Sequence, residues 1–331
     1  MKYDIDFIQK VGATAGPKAR EDASRVLNNT GYKTIRFICS QEKPFGTIFS
    51  VFSCLWRVAI GSKVLLQYPL GNEKVSALLL ILLRVKRCSI TLLIHDIVSI
   101  RSAGKLSRIE QFALSCGTHI IVHTEKMKDA LASFLLSKPV FSVHILHMFD
   151  YFVDSPISRI ADERGNSVIF AGNLDKSVFI EKLKESDACY FLYGQYSGHT
   201  EMGGNMIYKG IFQPSDLSRL EGSWGLVWDG DSLDTCSGQM GWYLKINAPH
   251  KLSLYLAARI PVIVWDQSAV SDYVTCNHLG ISVSNIRNLN EVLEKVSDDE
   301  YALMKENVSK VSERIIRGDM LKKVLAEIDM N

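Results

Sequence analysis

No stretch of this 331-residue chain is long and apolar enough to cross a bilayer as a helix. The longest greasy run, VSALLLILL at 75–83, is about half of the ~20 residues a crossing needs, and Arg84 ends it. Charge of one sign is equally lacking: 38 Lys and Arg face 36 Asp and Glu, a formal net charge of +2. So even a balance provides no whole-molecule attraction to nucleic acid, and none is expected as a partner. The seven cysteines include no C-x-x-C pair or other tight metal-ligand spacing. They read as free thiols of a reducing, cytoplasmic compartment, with no metal expected. A secretory leader is not expected either, because MKYDIDFIQK is interrupted by acidic residues and reads as a first strand. Also missing are G-x-G-x-x-G, G-K-S/T, H-E-x-x-H and G-x-S-x-G, which argues against dehydrogenase, P-loop, zinc-protease and serine-hydrolase chemistry.

What is present is a repeated alternation of two periodicities. Short apolar runs at 3–9, 34–38, 63–67, 90–94, 119–122 and 141–146 have strand length, with helical segments between them at 17–28, 48–59, 74–84, 105–116 and 125–136. Runs such as TLLI and HIIV are apolar throughout, as strands buried on both faces of a parallel sheet must be. The pattern loosens after His147, and a second alternation begins at SVIFAG, with strands expected at 167–172, 188–194, 225–228, 261–265 and 280–284. Helices are expected at 214–221, 249–259, 268–276, 287–296, 298–316 and 319–330. The implied organisation is an α/β domain at 1–150, a linker at 151–165, a second α/β domain at 166–316 and a terminal helix at 317–331. Two Rossmann-type parallel-sheet domains would face each other across a cleft, a pattern shared by glycosyltransferases, epimerases and binding proteins.

The loops at predicted strand ends carry the polar chemistry. NAPHKLSLYLAA places Asn247 as a candidate N-cap and Pro249 in the first helical turn, where the unbonded N–H groups form an anion site. Lys251 would add a full charge and His250 a ring nitrogen, the alternative being that Lys251 is an ordinary solvated lysine. Just upstream, WDGDSLDTCSG holds Asp229, Asp231 and Asp234, suited to sugar hydroxyls or to capping a turn. AGNLDKS reads as a tight turn in which Gly172 and Asn173 tolerate unusual backbone angles and Lys176 approaches a phosphate. Tyr193 and Tyr208 could stack on a base or pack at a strand end. In the first domain, strand TLLI runs into His95 and Asp96, either a general-base pair or a buried histidine beside a capping aspartate. GATAGPKARED offers Thr14 and Gly16 to the cleft and places Lys18 and Arg20 in the helix that follows. The helix at 75–83, followed by Arg84, Lys86 and Arg87, leaves open a peripheral contact with lipid.

These same residues resemble the bacterial beta-1,6-galactofuranosyltransferases of cell-surface polysaccharide assembly. The resemblance rests on AGPKAREDA, LIHDI, AGNL, WDGDSLDTCSG, YLK-N-PHK-SLYL and P-V-I-VWD in one order across 12–273. More distantly, the chain resembles the two-domain glucosyltransferase that acts on streptococcal adhesin glycopeptides. The resemblance implies a GT-B-like fold, UDP-sugar as donor substrate without cofactor or metal, and a glycan or lipid-linked glycan as acceptor. It also implies a homo-oligomer; the expected location is cytoplasmic, with the inner face of the cytoplasmic membrane as the alternative that the lipid contact above leaves open. By the same resemblance Thr14 reaches the donor from the first domain and Lys176 lies by its diphosphate; Gly16, Gly172, Asn173 and Tyr208 join them as candidates for the donor site from their own loops, and Asp229 and Asp231 as candidates for holding sugar hydroxyls. Pro249, His250, Lys251, Leu252, Ser253 and Leu254 would surround its phosphates. Lys176 is the weaker parallel, since the wider relative carries Arg there. Lys251 would stabilise the leaving group, and Asp96, supported by His95, would serve as base.

Overall fold

The computed structural model describes residues 1–8, 15–39, 44–71, 73–135, 141–154, 164–198 and 202–330. Thr14 lies outside them. The chain divides into two compact units: Met1–Gly12, Ala19–His147 and Met320–Asn331 form one, and Ala13–Lys18 with Met148–Asp319 form the other.

The first unit contains a parallel sheet of β1 (Lys2–Ile8), β2 (Lys33–Ile38), β3 (Lys63–Tyr68), β4 (Ser89–Ile94), β5 (His119–Val122) and β6 (Ser142–Ile145), in the order β2-β1-β3-β4-β5-β6. All six strands match the apolar runs expected from sequence. The helices are α1 (Ala15–Asn29), α2 (Pro44–Arg57), α3 (Glu73–Val85), α4 (Val98–Ala103), α5 (Arg108–Ser115) and α6 (Glu125–Phe134). α1 begins earlier than the sequence pattern suggests, so Gly16 sits in its first turn rather than in a loop. α4 was not expected: six residues are too few to show a helical period. The greasy run at 75–83 is indeed a helix of this core, burying Ala77, Leu79, Leu80 and Leu83. No helix among the described residues is long and apolar enough to cross a membrane.

In the second unit, β7 (Ser167–Ala171), β8 (Cys189–Tyr193), β9 (Met206–Gly210), β10 (Trp224–Val227), β11 (Val262–Trp265) and β12 (Gly280–Val283) form a parallel sheet in the order β12-β11-β10-β7-β8-β9. The helices that cover it are α7 (Gly238–Tyr243), α8 (His250–Ala257), α9 (Ser271–Cys276), α10 (Leu289–Lys295) and α11 (Asp298–Ile315), while α12 (Asp319–Met330) belongs, from Met320 on, to the first unit. The chain lays β8 and β9 outward on one side of β7, then returns to place β10 on the other side, with Gly225 opposite Ile169. Between β7 and β10 the connections therefore leave in opposite directions. Such a switch point opens a crevice at the carboxyl ends of the strands, where ligands of doubly wound sheets bind. The core here is built from Phe170, Phe179, Trp224, Trp228 and Trp265, all nearly inaccessible.

Two expectations fail in this unit. The helix expected at 214–221 is only a short 3₁₀ turn, Leu217–Arg219, started by the Asp216 side chain accepting from Ser218 N–H. β9 was not foreseen, because as an edge strand it exposes Ile207 and Tyr208 and so lacks a buried-strand pattern.

Asp4, in the middle of β1, is wholly buried and accepts hydrogen bonds from Ser24 Oγ (2.6 Å), Thr34 Oγ1 (3.1 Å) and Gln67 Nε2 (3.1 Å). Burial raises its carboxyl pKa from 3.8 to about 6; the Ser24 and Gln67 bonds oppose the shift and neighbouring Asp6 adds to it. The native state thus holds this proton more tightly than the unfolded chain does. The resulting stability is complete below the unfolded pKa of 3.8 and is lost as pH rises through about 6. Asp4→Asn is expected to flatten the fall in unfolding free energy across that window by up to roughly 3 kcal/mol. Urea unfolding of both proteins at a series of pH values checks this.

Candidate functional site

The carboxyl ends of β7 and β10 are tied together by α8. Tyr255, buried on that helix, accepts the N–H of Ala171, the last residue of β7, at 2.8 Å. The same ring lies against Gly225 of β10, where an added Cβ would stand only 2.3 Å from Tyr255 Cγ. A glycine in β10 thus lets the helix sit directly on the sheet, and the phenol satisfies a backbone donor the sheet leaves over. One turn earlier on the same helix is Lys251, which this seating brings to the switch point.

Lys251 Nζ donates to the carbonyl of Trp228, just beyond β10, at 3.2 Å. It lies 3.9 Å from Asp229 Oδ2 and 4.2 Å from the centroid of the Phe170 ring, on β7. Its stem passes over Gly172, where a Cβ would meet Lys251 Cε at 3.3 Å. With its side chain only 19% exposed, burial lowers its pKa below the ordinary lysine range, opposed by the Asp229 carboxylate. An ammonium has three donors. Among the described residues one is taken by a carbonyl, while Asp229 stands at ion-pair rather than hydrogen-bond distance. A second anion here would find a cation already placed and partly dehydrated.

The helix start differs from expectation in one respect. Pro249, not Asn247, occupies the N-cap position, with extended φ and ψ of −70° and 146°, and offers no side-chain cap. Proline fits because its backbone lacks the donor that would otherwise go unmet. Leu252 N–H donates back to the Pro249 carbonyl at 2.9 Å, and no side chain of the cap residue covers the turn, which keeps the helix end positive. Asn247 Oδ1 is buried without a hydrogen-bond partner among the described residues. His250 packs its ring at 5.0 Å from Tyr151 and 6.2 Å from Phe149. Lys18, at the start of α1, donates to Phe152 carbonyl at 2.7 Å and holds its ammonium 4.9 Å from the Tyr151 ring. Leu252, Ser253 and Leu254 have buried side chains, so only their backbone could face a ligand.

Around this point the remaining candidates separate. Asn173 caps the 3₁₀ turn Leu174–Lys176 by accepting Lys176 N–H at 3.1 Å, and the Lys176 side chain is exposed. Gly194, after β8, has φ +133°, and a Cβ there would lie 1.7 Å from the Gly172 carbonyl oxygen, so the loop after β8 needs glycine to pass. Tyr208 donates to the Gly194 carbonyl at 3.0 Å and stacks obliquely on Tyr196. Tyr193 is core, its hydroxyl bonded to Arg219 carbonyl at 3.0 Å. The three aspartates do not converge. Asp229 accepts Gly230 N–H at 2.9 Å, Asp231 accepts from Ser237 Oγ, and Asp234 pairs with Arg287 at 2.6 Å. No group of three or more potential metal ligands occurs among the described residues.

In the first unit, β4 delivers His95 and Asp96 to its carboxyl end, where each is oriented by a different partner. Gln67 donates through Nε2 to Asp4 and Ser24, which turns its Oε1 toward His95 Nε2 at 2.9 Å. His95 therefore donates from Nε2. Asp96 Oδ2 accepts from Arg101 Nε (3.0 Å) and Nη2 (2.9 Å), while Oδ1 is buried with no partner among the described residues. Arg20 donates to Asp6 (2.7 Å) and to the carbonyls of Gln67 (2.8 Å) and Pro69 (2.7 Å). Sequence reading passed over Gln67 and Arg101. A glutamine inside the apolar strand LLQY was the available signal for the first, and the second gave none.

Residues 2–145 match the family model described as the N-terminal domain of Glucosyltransferase 3-like proteins, and residues 168–328 match the C-terminal domain of the same description. The chain is 32% identical over 255 residues to beta-1,6-galactofuranosyltransferase WbbI of Escherichia coli (strain K12), covering 74% of this chain and 72% of that protein. It is 25% identical over 342 aligned positions to glucosyltransferase 3 of Streptococcus gordonii, covering 100% and 99%. Among solved structures, Anabaena HepE in complex with UDP and glucose superposes with a TM-score of 0.59 at 11% identity, covering 98% of this chain and 99% of that one. At that identity the likeness is one of fold, and it agrees with the GT-B-like class of two Rossmann-type units read from sequence.

If α8 is seated as described, Tyr255→Phe leaves the buried Ala171 N–H unsatisfied and costs about 1–3 kcal/mol. Gly225→Ala is expected to cost at least as much, because ring and strand must separate. Urea unfolding measures both, and wild-type stability in either variant contradicts the seating.

Proposed function

We propose, from the premise that this chain belongs to the Glucosyltransferase 3-like family of glycosyltransferases, that it moves galactofuranose from UDP-galactofuranose to a sugar hydroxyl. The linkage formed is beta-1,6, with inversion, in assembly of a cell-surface polysaccharide. One observation carries the donor half of this reading: Lys251 stands partly dehydrated at the β7/β10 switch point, beside the uncapped start of α8. That combination suits a diphosphate. HepE, of the same fold, holds UDP and glucose, and WbbI, the relative at 32% identity, is by name a galactofuranosyltransferase.

The chemistry follows from the charges. Asp96 takes the proton of the acceptor hydroxyl as its oxygen forms the new bond to the anomeric carbon. His95 supports it. The bond to UDP breaks on the opposite face, and the electron pair leaves with the phosphate. No enzyme nucleophile is needed for a single in-line displacement. Charge on the leaving phosphate is met by the Lys251 ammonium and the amides opening α8, an arrangement that needs no reorganisation when the bond breaks. A phosphate also supplies the counter-charge that Lys251, with its depressed pKa, has only in part from Asp229. Lys176, Asn173 and Tyr208 serve the nucleotide, Thr14 and Gly16 reach the donor, and Asp229 and Asp231 address sugar hydroxyls. A homo-oligomer acting on a glycan or lipid-linked glycan belongs to the same reading.

A second reading, transfer of glucose from UDP-glucose, is favoured by the end-to-end match to the streptococcal glucosyltransferase 3. Purified protein incubated with UDP-galactofuranose or UDP-glucose beside simple glucoside and galactoside acceptors decides between them by product mass and linkage. A 6-linked galactofuranosyl product is expected; product from UDP-glucose alone selects the second reading, and none from either sinks both.

Two variants test the assigned roles. Lys251→Ala is expected to lower kcat at saturating donor by about 10²–10³, since charge develops on phosphate only as the bond breaks. A near-normal kcat contradicts this. Asp96→Asn is expected to lose about 10²-fold or more of transfer while calorimetry finds UDP affinity unchanged; parallel loss of UDP affinity removes Asp96 from the base role.

A further inference from the structure

We infer that the outer face of α2 in the first unit is a docking surface for an anionic lipid bilayer. The helix, PFGTIFSVFSCLWR, is apolar on both sides. Its inner side, with Val51, Cys54 and Leu55, is buried in the core. Its outer side carries Phe49 at 77%, Phe52 at 53% and Trp56 at 90% exposure, one stripe at helical spacing, and Ile60 just past the helix continues it at 76%. A surface helix of a globular protein ordinarily turns charged and polar residues outward. A stripe of fully presented aromatics marks a surface built to be covered.

Charge identifies the cover. From Lys43 through His95 the sequence holds seven Lys and Arg and a single carboxylate, Glu73; of the seven, Lys63 is paired with Asp329 at 2.8 Å. That carboxylate is engaged by Ser107 Oγ at 2.7 Å. At the other end of α3, Lys86 Nζ donates to the Leu55 carbonyl at 2.7 Å, which fastens the end of α3 beside the last turn of α2. Arg84 and Arg87 are exposed there, as is Arg57 on α2 itself, and none has a carboxylate partner among the described residues. Exposed Val85, at 74%, lies among them. Tryptophan and phenylalanine flanked by unpaired cations suit the headgroup region of an anionic bilayer, where rings enter the acyl boundary and guanidinium groups meet lipid phosphates. A second copy of the chain suits the face less well. A two-fold contact would set the same cations against each other with no carboxylate between them.

The inference is independent of which sugar is transferred, because its readout is lipid binding. Full-length protein is floated with vesicles of phosphatidylcholine alone and of phosphatidylcholine with phosphatidylglycerol. Binding is expected only with phosphatidylglycerol, weakening as salt is raised. The pair Phe49→Ser with Trp56→Ser should weaken it about tenfold or more, and Arg84→Gln with Arg87→Gln about tenfold or more. All these side chains are exposed, so circular dichroism and melting temperature should be unchanged. No flotation of the wild-type protein, or equal flotation of the variants, overturns the inference. So does a dimer in light scattering that Trp56→Ser dissociates while vesicle binding persists, since the face would then be covered by a second copy.

Discussion

The second unit depends on how closely one helix can lie on its sheet. Without a side chain at Gly225, the Tyr255 ring presses on β10 and its hydroxyl reaches the last amide of β7. That pair of contacts spans the place where the strand order reverses. It fixes the start of α8 at the carboxyl edge, and Lys251 with it. The ammonium then finds a carbonyl, a carboxylate at ion-pair distance and an aromatic face, which replace only part of its lost water. A lysine at the positive end of a helix is unfavourable by itself. The position makes physical sense when an anion completes it.

The first unit solves a different problem, that of orienting a polar strand end from within an apolar sheet. Gln67 links the buried Asp4 to His95, and its amide can satisfy both only in one orientation. Arg20 ties the same strand ends through Asp6 and the Gln67 and Pro69 carbonyls. Such networks stabilise little when complete and cost much when broken, so what they contribute is definition of geometry. Here the definition extends to a tautomer. The histidine donates from Nε2, because the Gln67 oxygen that faces it can only accept.

How far the sequence could be read follows from where its signals are local. Strands buried on both faces announce themselves as unbroken apolar runs, and eleven of the twelve strands among the described residues fall where expected. The exception, β9, is an edge strand whose residues face solvent. Lys251 could be singled out because a proline, a lysine and a small-residue helix stand in one short segment. The ring stacking of His250 could not, because Tyr151 and Phe149 lie about a hundred residues away in sequence. Pro249 displaces Asn247 from the cap for a reason that only backbone geometry reveals: the helix starts two residues later than the preference for asparagine suggests. The exposed face of α2 was hidden for the opposite reason. A helix apolar on every side reads as buried, and only the fold tells which side is left uncovered.

The aspartates of the WDGDSLD segment sharpen what this site asks of Lys251. Three carboxylates within six residues look like a cation loop, yet each is engaged separately: Asp229 with the lysine and its own turn, Asp231 with Ser237, Asp234 with Arg287. Gly230, at φ +108°, folds the loop so tightly that a Cβ would lie 2.2 Å from the Ser237 carbonyl, and this keeps the acids apart rather than gathering them. With the acids committed in this way, positive charge at the switch point comes from the protein itself, from one ammonium and the open end of a helix. Both are fixed by packing before any ligand arrives. An anion binding there meets charges that need not move, which is the condition under which electrostatic stabilisation is worth most.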